Sequence, residues 1–101
     1  MKVMRKLYDQ CMEELDGVME YSECSMRLAN HDNDLARMYY NMAKQEMEHA
    51  STLHEASKRL SASKMGTEDI DPRLMELWEE MEHCKIKKMG MAKACLDNAQ
   101  I

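Results

Sequence analysis

Leu35-Ala36-Arg37-Met38-Tyr39-Tyr40-Asn41-Met42-Ala43-Lys44-Gln45-Glu46-Met47-Glu48-His49-Ala50-Ser51-Thr52-Leu53 is the stretch that decides the fold. Its apolar side chains return at helical spacing and line up in rows seven residues apart. One row is Leu35, Met42, His49 and Ala56; its neighbour is Tyr39, Glu46, Leu53 and Leu60. Seven residues are close to two turns, so each row runs along one side of a helix. The pattern predicts a helix from about Leu35 to about Ser61. Two of its row positions, Glu46 and His49, are polar where a bundle normally carries apolar residues.

The rest of the chain falls into two more helices around this one. Upstream, one row is Met4, Cys11, Val18 and the next is Leu7, Glu14, Tyr21, Leu28, which predicts a helix from near Lys2 to about Leu28. The polar run Ala29-Asn30-His31-Asp32-Asn33-Asp34 ends it, and Asn33 or Asp34 is placed to cap the helix that follows. Downstream, Ser63-Lys64-Met65-Gly66-Thr67 breaks the second helix, with Gly66 suited to a left-handed turn. Asp71-Pro72 is an N-cap followed by proline at the first helical position, opening a third helix to about Ala99, with Gly90 as a local weak point. Leu74, Leu77, Trp78, Met81, Cys84 and Met91 are its expected apolar face. The short first connection predicts an antiparallel hairpin. The expectation is an all-α single domain over 1–101: a hairpin plus a third helix.

Composition narrows the function. The 101 residues include one Pro, three Gly and thirteen Met but no Phe, a helical composition with a soft core. The net charge of −5 argues against a nucleic-acid partner and suits a protein that attracts cations. No apolar run is long enough for a bilayer, and no signal-peptide core stands at the N-terminus, so a soluble, cytoplasmic protein is expected. Cys11, Cys24, Cys84 and Cys95 have no C-x-x-C spacing; buried thiols packing as small apolar groups are expected, not a zinc ribbon or redox pair.

The chemistry lies in Glu46-Met47-Glu48-His49. Positions i and i+3 share a helix face, so Glu46 and His49 can reach one metal ion together. Counting from a hairpin centre near Asp32, Glu14 comes within roughly one turn of Glu46 in height. Three polar groups in apolar rows need compensation, which a bound cation supplies. A second Glu-x-x-His, Glu80-Met81-Glu82-His83, shares its rows with Arg73, Lys87, Glu76, Gly90 and Asp97, and is expected on a solvated face. His31 is expected in the loop and His54 on the polar side beside Glu55.

On these residues the chain resembles the ferritin-like superfamily, most closely the short hairpin subunits of the encapsulated-ferritin type. The resemblance covers Met12 to about Leu60, through Met12-Glu13-Glu14-Leu15, Val18, Tyr21, Asp34-Leu35 and Glu46-Met47-Glu48-His49-Ala50. It implies that Glu14, Tyr21, Glu46 and His49 form half of a site, with Glu13 as the alternative to Glu14. It implies a homodimer or higher even-numbered homo-oligomer, in which two subunits complete a four-helix bundle with two iron ions per subunit pair. The implied activity is that of a ferroxidase, an oxidoreductase acting on iron(II) with dioxygen or peroxide, in the service of iron storage. The encapsulated type also implies an encapsulin shell, although Cys95-Leu96-Asp97-Asn98-Ala99-Gln100-Ile101 shows no docking tail and the third helix has no counterpart. Rubrerythrin-like peroxidase chemistry, zinc or manganese at the same ligands, and a non-catalytic helical adaptor are the alternatives.

Overall fold

The computed structural model describes residues 2–65 and 71–99, with the backbone alone for residues 64 and 65. All of its regular structure is helical: α1 (Lys2–Leu28), α2 (Asn33–Met65) and α3 (Pro72–Asn98). None of these helices is long and apolar enough to cross a membrane. The molecule is a rod of 57 × 17 × 17 Å, as expected when helices of this length pack side by side.

Local chemistry sets the helix ends. Asn30 takes the left-handed conformation, φ 70°, beyond the end of α1, and the amides of His31 and Asp32 both donate to the Leu28 carbonyl at 2.9 Å. The N-cap of α2 is Asp32, not Asn33 or Asp34: its carboxylate accepts from the Leu35 amide at 3.1 Å. The Asn33 side chain is engaged elsewhere, accepting from the Asn30 amide at 3.0 Å. At its far end α2 runs to Met65, past the expected stop near Ser61, because no Gly or Pro interrupts residues 61–65. The expected Gly66 turn lies outside the described residues. Asp71 caps α3 as expected, accepting from the Arg73 amide at 2.9 Å ahead of Pro72. Gly90 sits within a continuous helix, and a Cβ added there would meet nothing within 4 Å.

The hairpin closes along a seam of small residues. On α1 it comprises Cys11, Leu15, Val18, Ser22 and Ser25, all fully buried. Facing them on α2 is the row Ala36, Ala43, Ala50 and Ser57. Small side chains let the two backbones approach, and two cross-helix bonds become possible. Ser25 Oγ donates to the Ala36 carbonyl at 2.7 Å, and the Cys11 thiol reaches the Ala50 carbonyl at 3.5 Å. Both bonds fit one antiparallel register, in which residue i of α1 stands level with residue 61 − i of α2. The larger rows Leu7–Glu14–Tyr21–Leu28 and Tyr39–Glu46–Leu53–Leu60 are therefore not the seam. They form its half-buried flank.

α3 lies along the opposite side of α1, packing Met89, Ala92 and Leu96 against Met12, Met19 and the core. Lys88 pairs with Asp16 at this contact. Its buried positions are Lys85 and Ala92, and the C-cap Ala99 continues the same seven-residue row. The expected row Leu77–Cys84–Met91 faces outward: Leu77 and Met91 are about half exposed, and Cys84 is an exposed thiol. The alanine row makes the closest approach, as in the first seam, and displaces the bulkier row to the outside.

Candidate metal centre

The register brings the three sequence-selected ligands together. Glu14 stands level with Met47, so Glu46 and His49 flank it across the seam. The turn is centred between Asn30 and His31 rather than at Asp32, which removes the one-turn offset expected between Glu14 and Glu46. Glu14, Glu46 and His49 each offer a ligand atom, all within 4.8 Å of one another. His49 Nδ1 lies 3.5 Å from Glu14 Oε2. A shallow cleft of about 380 Å³ reaches Glu14 and His49 from solvent, with Gln10, Glu13, Thr52 and Leu53 around it. Glu13 is exposed at that rim and lies outside the three-residue group.

Two features of this group fit a cation. Glu14 Oε2 is buried and has no hydrogen-bond partner. Among the described residues no lysine or arginine pairs with Glu14 or Glu46. Two carboxylates held this close in a partly dehydrated cleft repel each other, and a divalent ion reverses the sign of that interaction. The second feature is Gly17, one turn beyond Glu14 on α1. A Cβ at Gly17 would come within 3.1 Å of Glu46 Oε2 and 3.3 Å of its Cγ and Cδ. The bare glycine leaves the groove in which the Glu46 carboxylate lies across α1. Row reading passed over Gly17 because it scores side chains, and here the missing side chain matters. Its place one turn from Glu14 on the same face was the available clue.

The remaining candidates are placed as follows. Tyr21 is half-buried on the same flank, two turns from Glu14, and stacks on Tyr39 with ring centroids 6.0 Å apart. Glu80 and His83 are exposed, as the row comparison expected, and His31 is exposed in the turn. His54 is a correction: it is buried, 9 % exposed, not on a polar surface. It turns toward α3, where Glu82 Oε1 lies 3.7 Å from its Nδ1 and Lys85 Nζ lies 2.9 Å from Glu82 Oε2. Burial lowers the His54 pKa below its ordinary value, and Lys85 adds to the effect. Burial likewise raises the Cys11 pKa, keeping that thiol protonated and inert. Cys24 and Cys95 are half-buried, so Cys84 alone departs fully from the expected buried packing.

Comparison of the chain with known protein families, characterised proteins and solved structures finds no match.

Proposed function

We propose that this chain is a ferritin-like protein that oxidises iron(II) at a di-iron centre shared by two subunits. The observation that carries the reading is the convergence of Glu14, Glu46 and His49 within 4.8 Å on the open flank of the hairpin. Carboxylate oxygen with neutral imidazole is a donor set suited to iron, and to zinc and manganese as well. One Glu from one helix and a Glu-x-x-His from the next make half of the four-helix di-iron ligand set. The other half would come from a second copy.

The flank around the cluster supports that pairing. Leu7, Tyr21, Leu28, Tyr39, Met42, Leu53 and Leu60 are apolar or aromatic and only half-buried within one chain. α3 lies on the other side of α1 and leaves this flank open. Two hairpins meeting here would bury both apolar strips and bring the two acidic clusters together around the ions.

In this reading Glu14, Glu46 and His49 of each subunit would hold the iron ions, with Glu46 shared between them and His49 and Glu14 as terminal ligands. The substrate iron(II) supplies electrons to dioxygen or peroxide. Gly17 keeps the path of the Glu46 carboxylate clear. Glu14, whose Oε2 has no hydrogen-bond partner among the described residues, would receive positive charge without rearranging a hydrogen-bond network. Tyr21, beside Tyr39, donates a hydrogen bond toward the centre or supplies an electron.

The test is iron stoichiometry together with mass in solution, before and after anaerobic addition of iron(II). About one iron per chain in an even-numbered assembly is expected, since each copy holds half the ligands. No iron uptake and no change in assembly would leave a helical interaction protein whose inward acids set helix register.

A further inference from the structure

Between the three helices, at the end of the hairpin away from the α1–α2 turn, lies a cavity of about 420 Å³. This is within the range of small-molecule sites. It lies on the α3 side of the hairpin, separate from the Glu14–Glu46–His49 flank. Met4, Ala62, Met75, Met81 and the Trp78 ring provide its walls. Apolar packing alone does not explain the Trp78 indole: Nε1 is buried and has no hydrogen-bond partner. An indole N–H is a donor and nothing else, so what is missing beside it is an acceptor oxygen or nitrogen.

Charge selects the class of molecule. Lys58 and Lys85 line the cavity, and so do Glu79 and Glu82. Lys85 is already held by Glu82 at 2.9 Å and Lys58 by Glu55 at 3.6 Å, so an anion gains no free counter-charge there. Glu79 is exposed and solvated, so it offers a cation little at the buried wall. We propose that this cavity binds a small, uncharged, largely apolar molecule whose carbonyl or hydroxyl oxygen accepts the Trp78 Nε1–H hydrogen bond. The apolar body lies against the methionines, and the oxygen answers the Trp78 donor, which has no partner among the described residues.

The sequence has a single tryptophan, so the cavity contains its own reporter. The probe is prodan, an uncharged naphthalene ketone whose emission shifts on leaving water. Titration of the full chain should give saturable binding at one per chain, with loss of Trp78 emission and energy transfer to the probe. Ala62→Phe projects a ring into the cavity from an exposed helix position, and should weaken binding at least about tenfold while helicity and Tm stay unchanged. Trp78→Phe keeps the apolar wall but removes the donor. Read from prodan emission, it should weaken binding roughly 2–10-fold, the worth of one neutral hydrogen bond. Absence of saturable binding would overturn the proposal, as would binding untouched by either variant. Binding that vanishes as protein concentration and mass rise together would show instead that a second copy covers the cavity.

Discussion

The hairpin carries a polar cluster on each side, and the two solve the same electrostatic problem in different ways. On the α3 side, Glu82 lies between His54 and the fully buried Lys85. That cluster contains its own cation. On the open side, Glu14 and Glu46 lie beside His49 with no lysine or arginine paired to them among the described residues. A carboxylate cluster that includes a lysine is balanced as folded; one that lacks it leaves its charge open to a cation, which is what the proposed centre uses. The contrast is between a cluster closed by its own lysine and one open to solvent; Glu80 and His83, the other Glu-x-x-His pair, are exposed and belong to neither.

The largest expected effect follows on the open side. Glu46→Ala should slow iron(II) oxidation by about 100-fold or more, because ligand loss exceeds the 10–100-fold usual for outer-shell partners. Its helicity should be retained, since Glu46 stands beside the seam and not in it. Stopped-flow absorbance of iron(III) formation reads the rate. A rate equal to wild type would remove Glu46 from the centre, and a matching loss in Glu82→Ala would erase the distinction between the clusters.

Stability should show the reverse order. Glu82→Ala strands Lys85, which is 2 % exposed, without its counter-charge. Removing one member of a fully buried pair costs about 3–5 kcal/mol; Glu82 is itself 45 % exposed, so water shares the load and about 2–3 kcal/mol is expected. Lys85→Met retains the packed stem and leaves Glu82 free to turn to solvent, so its cost should be about 1 kcal/mol or less. Urea denaturation of the two variants measures the asymmetry. Equal costs would mean that the pair contributes through packing alone.

Which parts of this architecture were legible in sequence depends on what row reading counts. The helix ends at Leu28 and Pro72, the Asp71 cap and the meeting of Glu14 with Glu46 and His49 all follow from spacing, because spacing fixes which side chains share a face. The seam does not. Row reading assigns the interior to the largest apolar residues, whereas here the closest contacts run through Ala36, Ala43, Ala50 and Ala92, and the large residues stand beside them. The same bias placed Leu77, Cys84 and Met91 inside and His54 outside. Lys85 escaped notice because a lysine in a helix is normally read as solvated, and its burial comes from how α3 packs on the hairpin, which spacing within α3 does not give.

Gly17 sharpens the comparison further, since it separates stability from site geometry. Alanine is favoured over glycine in a helix interior by about 1 kcal/mol. A Cβ 3.1 Å from Glu46 Oε2 forces that flexible carboxylate to move by a few tenths of an ångström or more. Gly17→Ala should therefore leave the metal-free protein as stable as wild type or more so, while weakening iron(II) binding about tenfold. Thermal melts with and without iron(II) report both quantities. A variant stabilised equally in both conditions would mean that Glu46 takes another route to the ion.

The smallest effect tests the closed side by pH. His54 is pushed below its ordinary pKa near 6.5, first by burial and then by Lys85, with Lys58 adding to the same direction and Glu82 and Glu55 opposing it. A histidine whose pKa is lower in the folded state takes up its proton more readily when unfolded. Its contribution is present in full above pH 6.5 and is lost as the pH falls from there through the folded-state value. Wild type should lose roughly 1 kcal/mol or less across that window, and His54→Gln should lose correspondingly less over the same range. Denaturation midpoints at several pH values between 7.5 and 5 provide the measurement. Because Glu82 already holds Lys85, protonated His54 has only a shared carboxylate to turn to, which is why the closed cluster resists a second positive charge.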